Sequence, residues 1–187
     1  MQRDHLFALV TVFAVASALA SPNRLSAADA TSEFSTPTID LGCVVADVAK
    51  SVKFYIEVVG FKEVAGFKVP GAIAATGGLT DGKDELDIHV LTLGEGDGAT
   101  KLKLMQFPAG KSKKSDNTTI DSQLGFRYLT IHVTDTAAAM TRLQKAGVKP
   151  LAKGPAELPD SLAKGMYLTV VRDPDGNFVE LVGPKKK

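Results

Sequence analysis

Two stretches of this sequence follow one plan, and that repeat constrains the fold more than any other feature. The first, TIDLGCVVADVAKSVKFYIEVVGFK, begins at Thr38; the second, FRYLTIHVTDTAAAMTRLQKAGVKP, begins at Phe126. Each reads as a strand, an aspartate, an amphipathic helix, a glycine and a further β-like stretch. Asp47 and Asp135 hold equivalent places and suit helix N-caps, because a short carboxylate accepts from the free N–H groups of a first turn. Val48, Val52, Tyr55 and Val59 fall on one stripe of the first helix, and Ala139, Met140, Leu143 and Ala146 on one stripe of the second. Gly60 and Gly147 end them.

Each half then supplies more strands. ELDIHVLTLG and TKLKLMQF, joined by EGDGA, complete the first. GMYLTVVRD and NFVELVG complete the second, on either side of Asp173-Pro174-Asp175-Gly176-Asn177, a hairpin signal. Each half is therefore expected to be β-α-β-β-β, which places the chain in the α+β class. PAGKSKKSDNTTIDSQ, between the halves, reads as a polar, mobile linker. It contains the glycosylation-type triplet that starts at Asn117. FKVPGAIAATGGLTDGKDE (Phe67 to Glu85) reads as a long connection, either plain loop or a segment that covers a site.

The N-terminus has another character. Leu6 to Ala20 is nearly continuously apolar, short for a membrane span, and followed by small residues. Residues 1–30 therefore read as a signal peptide, cleaved after Ala20 or Ala30, with an uncleaved anchor as the alternative. Residues 31–37 follow as a linker, 38–184 as one domain of two modules (38–108 and 125–184), and 185–187 as a basic tail. The expected location is periplasmic or secreted, with no stable membrane span after cleavage. The one cysteine, Cys43, can form no internal disulfide, so the domain must hold together by packing. It sits in an apolar strand and reads as a buried, inert thiol. A net charge of +1 offers no basic field for nucleic acid.

The doubled β-α-β-β-β plan, with VVADVAKSVKFYIEVVGF in the first half and RDPDGNFVELV at the end, resembles the vicinal oxygen chelate superfamily. That group includes glyoxalase I, extradiol dioxygenases and bleomycin-binding proteins. The resemblance implies two tandem βαβββ modules forming a curved mixed sheet around a pocket, with helices outside. It also implies a small-molecule ligand and is compatible with a homodimer. Strand alternation then says which residues face the pocket. Leu41, Cys43, Leu102, Leu104, Leu129, Ile131, Val179 and Leu181 point toward the helices. Asp40, Lys103, Tyr128, Thr130, His132, Phe178 and Glu180 point into the pocket. His89 has ambiguous parity, and His5 lies in the leader.

Metal-using members of that superfamily carry four ligands on these strands, usually His or Gln, Glu, His and Glu. Carried over, the positions here hold Asp40, Lys103, Tyr128 and Glu180. Asp40 and Tyr128 each stand seven residues before their capping aspartate, so the two placements support each other. An ammonium at Lys103 repels a metal ion, and a tyrosine ligates well only as phenolate. No cofactor is favoured. The expectation is a degenerate metal site in which Lys103 replaces a ligand and stands in an ion cluster with Asp40 and Glu180, pairing with Glu180, while Tyr128 and His132 complete a binding pocket. The alternative is a lyase, isomerase or dioxygenase resembling glyoxalase I, with Zn, Ni, Fe or Mn on Asp40, Glu180 and His132. His132 and Tyr128 are then the candidate catalytic groups. A third reading is an interaction module with a vestigial pocket.

Overall fold

The computed structural model describes Thr36 and residues 38–96 and 98–186. The expected leader lies outside these residues. In the first module β1 (Asp40–Val44) leads to α1 (Val48–Phe54), β2 (Lys62–Val69), α2 (Gly71–Thr76), β3 (Leu86–Leu93) and β4 (Thr100–Met105). In the second, β5 (Tyr128–His132) leads to α3 (Thr136–Lys145), β6 (Ala156–Glu157), α4 (Asp160–Ala163), β7 (Met166–Arg172) and β8 (Phe178–Pro184). Both modules are β-α-β-β-β, with a short helix inserted before the third strand of each. Hydrogen bonding divides the strands into two four-stranded mixed sheets, ordered β1-β4-β3-β2 and β5-β8-β7-β6. In each sheet the first strand runs parallel to the last, and the other pairings are antiparallel.

The helices begin and end for local reasons. Asp47 accepts from the Lys50 N–H at 3.0 Å, and Asp135 from the Ala137 N–H at 2.9 Å. These backbone donors hold both carboxyls below the usual carboxylate range, with the Lys50 side chain adding to the effect at Asp47. Gly60 (φ 106°) and Gly147 (φ 69°) take the left-handed conformation that lets the chain leave the helix.

After Phe54 the first helix widens into a π-helical turn, Tyr55–Val59, in which Tyr55, Val58 and Val59 are all buried. Its Val58 carbonyl accepts from Arg142 Nε of α3 at 3.3 Å.

One apolar core spans both modules. Leu91, Leu102 and Leu104 come from the first sheet, and Ile131, Val171, Val179 and Leu181 from the second. Phe54, Tyr55, Val58, Ala139 and Leu143 meet them from the helices. Leu91, Leu104, Leu143, Val171 and Val179 are wholly buried, and each such side chain contributes roughly 1.5–3 kcal/mol by leaving water. The two-residue period holds along β4, β5 and β8: their core positions are those expected, and the alternate positions form the opposite face. That opposite face carries the candidate site residues. No helix among the described residues is long and apolar enough to cross a membrane.

Two expectations need correction. The long connection after Phe67 is partly β2 and partly α2, whose Ala74 packs on Leu86, Ile88 and Val90. A second cluster therefore fills part of the face that was to line a cavity. The segment between the modules has no regular structure, yet it is tied down. Arg127 donates to the carbonyls of Ile120 (3.0 Å) and Asp116 (2.7 Å), and Arg172 to that of Thr118 (3.1 Å). Asn117 is buried and donates to Asn177 Oδ1 at 3.1 Å, so its amide is turned away from any modifying enzyme.

Candidate functional site

Parallel pairing of β1 with β4 sets Gly42 beside Lys103 and Asp40 beside Lys101. Lys103 leans back along the strand, and its Nζ lies 2.7 Å from Asp40 Oδ2. Gly42 leaves that approach open, since a Cβ there would meet only the Met105 methyl, at 3.7 Å. The Lys103 ammonium, bonding to Asp40, is the main cause that holds this carboxyl below its ordinary range; partial desolvation opposes it. The same ammonium stands 5.9 Å from the centre of the Phe67 ring, within cation–π reach.

Glu180 has another partner. It stands opposite Thr130 in the parallel β5–β8 ladder and accepts from Thr130 Oγ1 at 2.7 Å. The expected Glu180–Lys103 pair is therefore replaced by two separate contacts, Asp40–Lys103 on the first sheet and Thr130–Glu180 on the second. The reason is register: each charged group finds a partner one strand away within its own sheet. Among the described residues, no hydrogen bond or ion pair joins the two sets.

Glu180 and Tyr128 do share a cavity, of about 320 Å³. It lies against the face of the second sheet that turns away from the core. Phe178, Leu168 and Val170 line it, and the segment from Leu151 to Ala156 walls it on the far side. That wall is fixed at both ends. Leu151 N–H donates to the Val170 carbonyl at 2.9 Å, and β6 pairs with β7 at Ala156 and Glu157. A side chain at Gly154 would lie 3.1 Å from Thr169 Oγ1, so glycine allows the wall to come in close. The polar groups in an otherwise apolar lining are Glu180, Tyr128, Lys153 and Thr169. Neither Asp40 nor Lys103 lines this cavity.

His132 is exposed on the same sheet face beside Val182 and does not line the cavity. His89 lies on the helix side of the first sheet, with Nδ1 2.9 Å from Glu63. A second, smaller cavity of about 180 Å³ separates β1 from β5 and is lined by Cys43, Tyr55, Leu129 and Phe126. Burial, helped by the negative charges of Asp173 and Asp175, pushes the Cys43 thiol up to about 11, which suits an inert packing group.

The turn Asp173–Asn177 has a role that its hairpin signature does not announce. Tyr55 donates its hydroxyl to the buried Asp173 at 3.0 Å, and Asp173 also accepts from the backbone of Asp175 and Asn177. Asp175 accepts from the Ala46 N–H at 3.2 Å, in the β1–α1 turn. The turn thus fastens the second module to the first. A hydroxyl on the apolar stripe of the first expected helix was the available signal, because a buried phenol requires an acceptor.

The donors do not fit a divalent metal at the position the resemblance implied. Lys103 occupies Asp40, Thr130 occupies Glu180, and Tyr128 offers a phenol. Among the described residues no three His, Cys, Asp or Glu side chains stand close enough to hold an ion.

Comparison with known proteins agrees with this architecture. A glyoxalase family protein from Bacillus cereus superposes with a TM-score of 0.65 at 18% identity, covering 84% of this chain and 99% of that one. A glyoxylase/bleomycin resistance protein/dioxygenase domain from Frankia sp. gives 0.53 at 18% identity, covering 83% and 93%. The trypanothione-dependent glyoxalase I of Leishmania major gives 0.50 at 21%, covering 77% and 84%. At these identities the likeness bears on fold alone. No match was found among curated protein sequences. Residues 40–181 match the family model of the Glyoxalase/Bleomycin resistance protein/Dioxygenase superfamily, and with the doubled β-α-β-β-β plan this makes the chain a member of that superfamily.

Proposed function

We propose that this chain is an exported small-molecule-binding protein whose ligand sits against the second sheet, at Tyr128, Phe178 and Glu180. The observation that carries the reading is the Lys103–Asp40 ion pair at 2.7 Å, on two of the four positions where metal-using members keep ligands. Its ammonium repels a divalent cation and already satisfies the acid. The pocket at Glu180 remains, with apolar walls and few polar groups, as ligand sites usually have. The metal-dependent lyase, isomerase or dioxygenase reading requires Lys103 to leave Asp40. Titration calorimetry with zinc and nickel separates the two. Weak, non-stoichiometric heats are expected, and tight one-to-one binding lost in Glu180→Gln defeats the proposal.

Export rests on the apolar run Leu6 to Ala20. N-terminal sequencing of the native protein should find Ser21 or Thr31 first; an intact leader defeats that part. A homodimer is the proposed assembly, supported by the exposed Val44, Val64 and Phe67 on the first sheet. Light scattering that gives a monomer mass at micromolar concentration counts against it.

A further inference from the structure

We infer that the cavity of the second module selects a monocation with an apolar body, an arylalkyl ammonium of modest size, and that Glu180 is its anchor. The inference rests on the pocket reading above and adds the ligand's chemical class. The lining is mostly hydrocarbon: Leu168, Val170, Leu151 and Ala156. Such walls favour a ligand body without charge. Within them stands a carboxylate whose Oε2 is held by Thr130 at 2.7 Å. Among the described residues its Oε1 has no hydrogen-bond partner, and no lysine or arginine of theirs pairs with the group within 4.0 Å. An acceptor in that state meets a donor cation with little rearrangement, because Thr130 and the β5–β8 ladder already fix its direction.

The aromatic groups point the same way. Tyr128 and Phe178 are neighbours across β5 and β8, and both line the cavity. Their ring faces attract a cation and accommodate an aryl group. The Arg172 guanidinium stands 4.4 Å from the Phe178 ring, but its nitrogens donate to the Gly176 and Thr118 carbonyls. It does not line the cavity and does not reach Glu180. Lys153 is the positive group in the wall. It is exposed, makes no ion pair among the described residues, and can keep its ammonium in water. The volume, about 320 Å³, lies near the lower end for ligand sites and suits a body of about ten heavy atoms.

Three probes of nearly equal shape test the selection: 2-phenylethylammonium, 2-phenylethanol and phenylacetate, titrated at neutral pH while the backbone amides are followed by NMR. The cation should bind about tenfold tighter than the alcohol, phenylacetate should bind most weakly, and the shifts should concentrate on β5, β7 and β8. Glu180→Gln should remove the cation's advantage and leave the alcohol within about twofold. Thr130→Val keeps the charge but frees the carboxylate, and should weaken the cation several-fold; it also serves should the first variant fold poorly. Lys153→Met should tighten the cation. Alcohol or phenylacetate binding as tight as the cation, with the same amides shifting, overturns the cation inference and leaves the small-molecule reading standing. So does a cation affinity unchanged in both Glu180→Gln and Thr130→Val. If none of the probes moves those amides at millimolar concentration, the pocket reading falls with the inference.

Discussion

Lys103 is the residue on which the chemistry of the first sheet turns, and its effect can be read at Asp40. Because the ammonium is the first cause holding the Asp40 carboxyl below its ordinary range, Lys103→Met should let that carboxyl titrate nearer the usual value. A depressed folded-state value adds stability above the unfolded value, which is lost as pH falls through the folded one. The variant should therefore lose the share of acid-side stability that Asp40 supplies, while NMR follows the carboxyl carbon moving up. An unchanged Asp40 midpoint would show that the pair does not persist in solution. Ser51 is a different case. Its hydroxyl is fully buried in α1 and has no hydrogen-bond partner among the described residues. Ser51→Ala removes a desolvated polar atom and improves helix propensity, so stability should rise by about 1 kcal/mol in urea denaturation. A loss of that size would mean the hydroxyl has a partner in solution. The orphaned serine was not legible in the sequence, because on the buried side of a helix it looks like any other small residue. Alternation put Lys103 on the face of both Asp40 and Glu180 but did not say which acid it reaches.

The elements themselves were far more legible, because each is set by chemistry within a few residues. Asp47 and Asp135 mark where α1 and α3 start, Gly60 where the π-helical turn after α1 stops and Gly147 where the chain leaves α3, and period two sorts β4, β5 and β8 correctly. What escaped was structure produced by contact between elements. The π-helical turn carries contacts of that kind: its Val58 carbonyl accepts from Arg142 of α3, and Tyr55 donates to Asp173 of the second module. Helix α2 forms because Ala74 finds an apolar face at Leu86, Ile88 and Val90, although GAIAATGG is an unpromising helix. The strand ladders bend at Gly66, where β2 shifts register between Val64 and Phe67. A Cβ on Gly66 would lie 2.3 Å from the Ile88 carbonyl oxygen, a backbone atom that cannot yield. Gly66→Ala should therefore force the β2–β3 pairing to move and cost about 2 kcal/mol or more, with the lost protection in hydrogen exchange confined to β2 and its partner. Wild-type exchange rates across β2 would contradict this account of the bulge.

At the scale of the whole molecule the question is what holds two similar modules together. Their packing is shared. Leu143 of α3 belongs to the same apolar cluster as Leu91 and Leu104 of the first sheet, and Arg142 donates to the Val58 carbonyl. The Asp173–Asn177 turn of the second module is fastened to Tyr55 and Ala46 of the first. A module separated from its twin would expose the helix face that its partner now covers, and Asp173 would lose the Tyr55 hydroxyl. The domain should therefore unfold in one cooperative transition, with probes in either module giving the same midpoint. Tyr55→Phe tests the link directly. It keeps the ring and its volume, removes one donor from a buried carboxylate, and should cost about 1–3 kcal/mol. If the modules are one unit, that loss lowers the midpoint reported by β3 amides and by β8 amides equally. If the variant lowers one module's midpoint and leaves the other's unchanged, the shared core does not couple them and each module folds by itself.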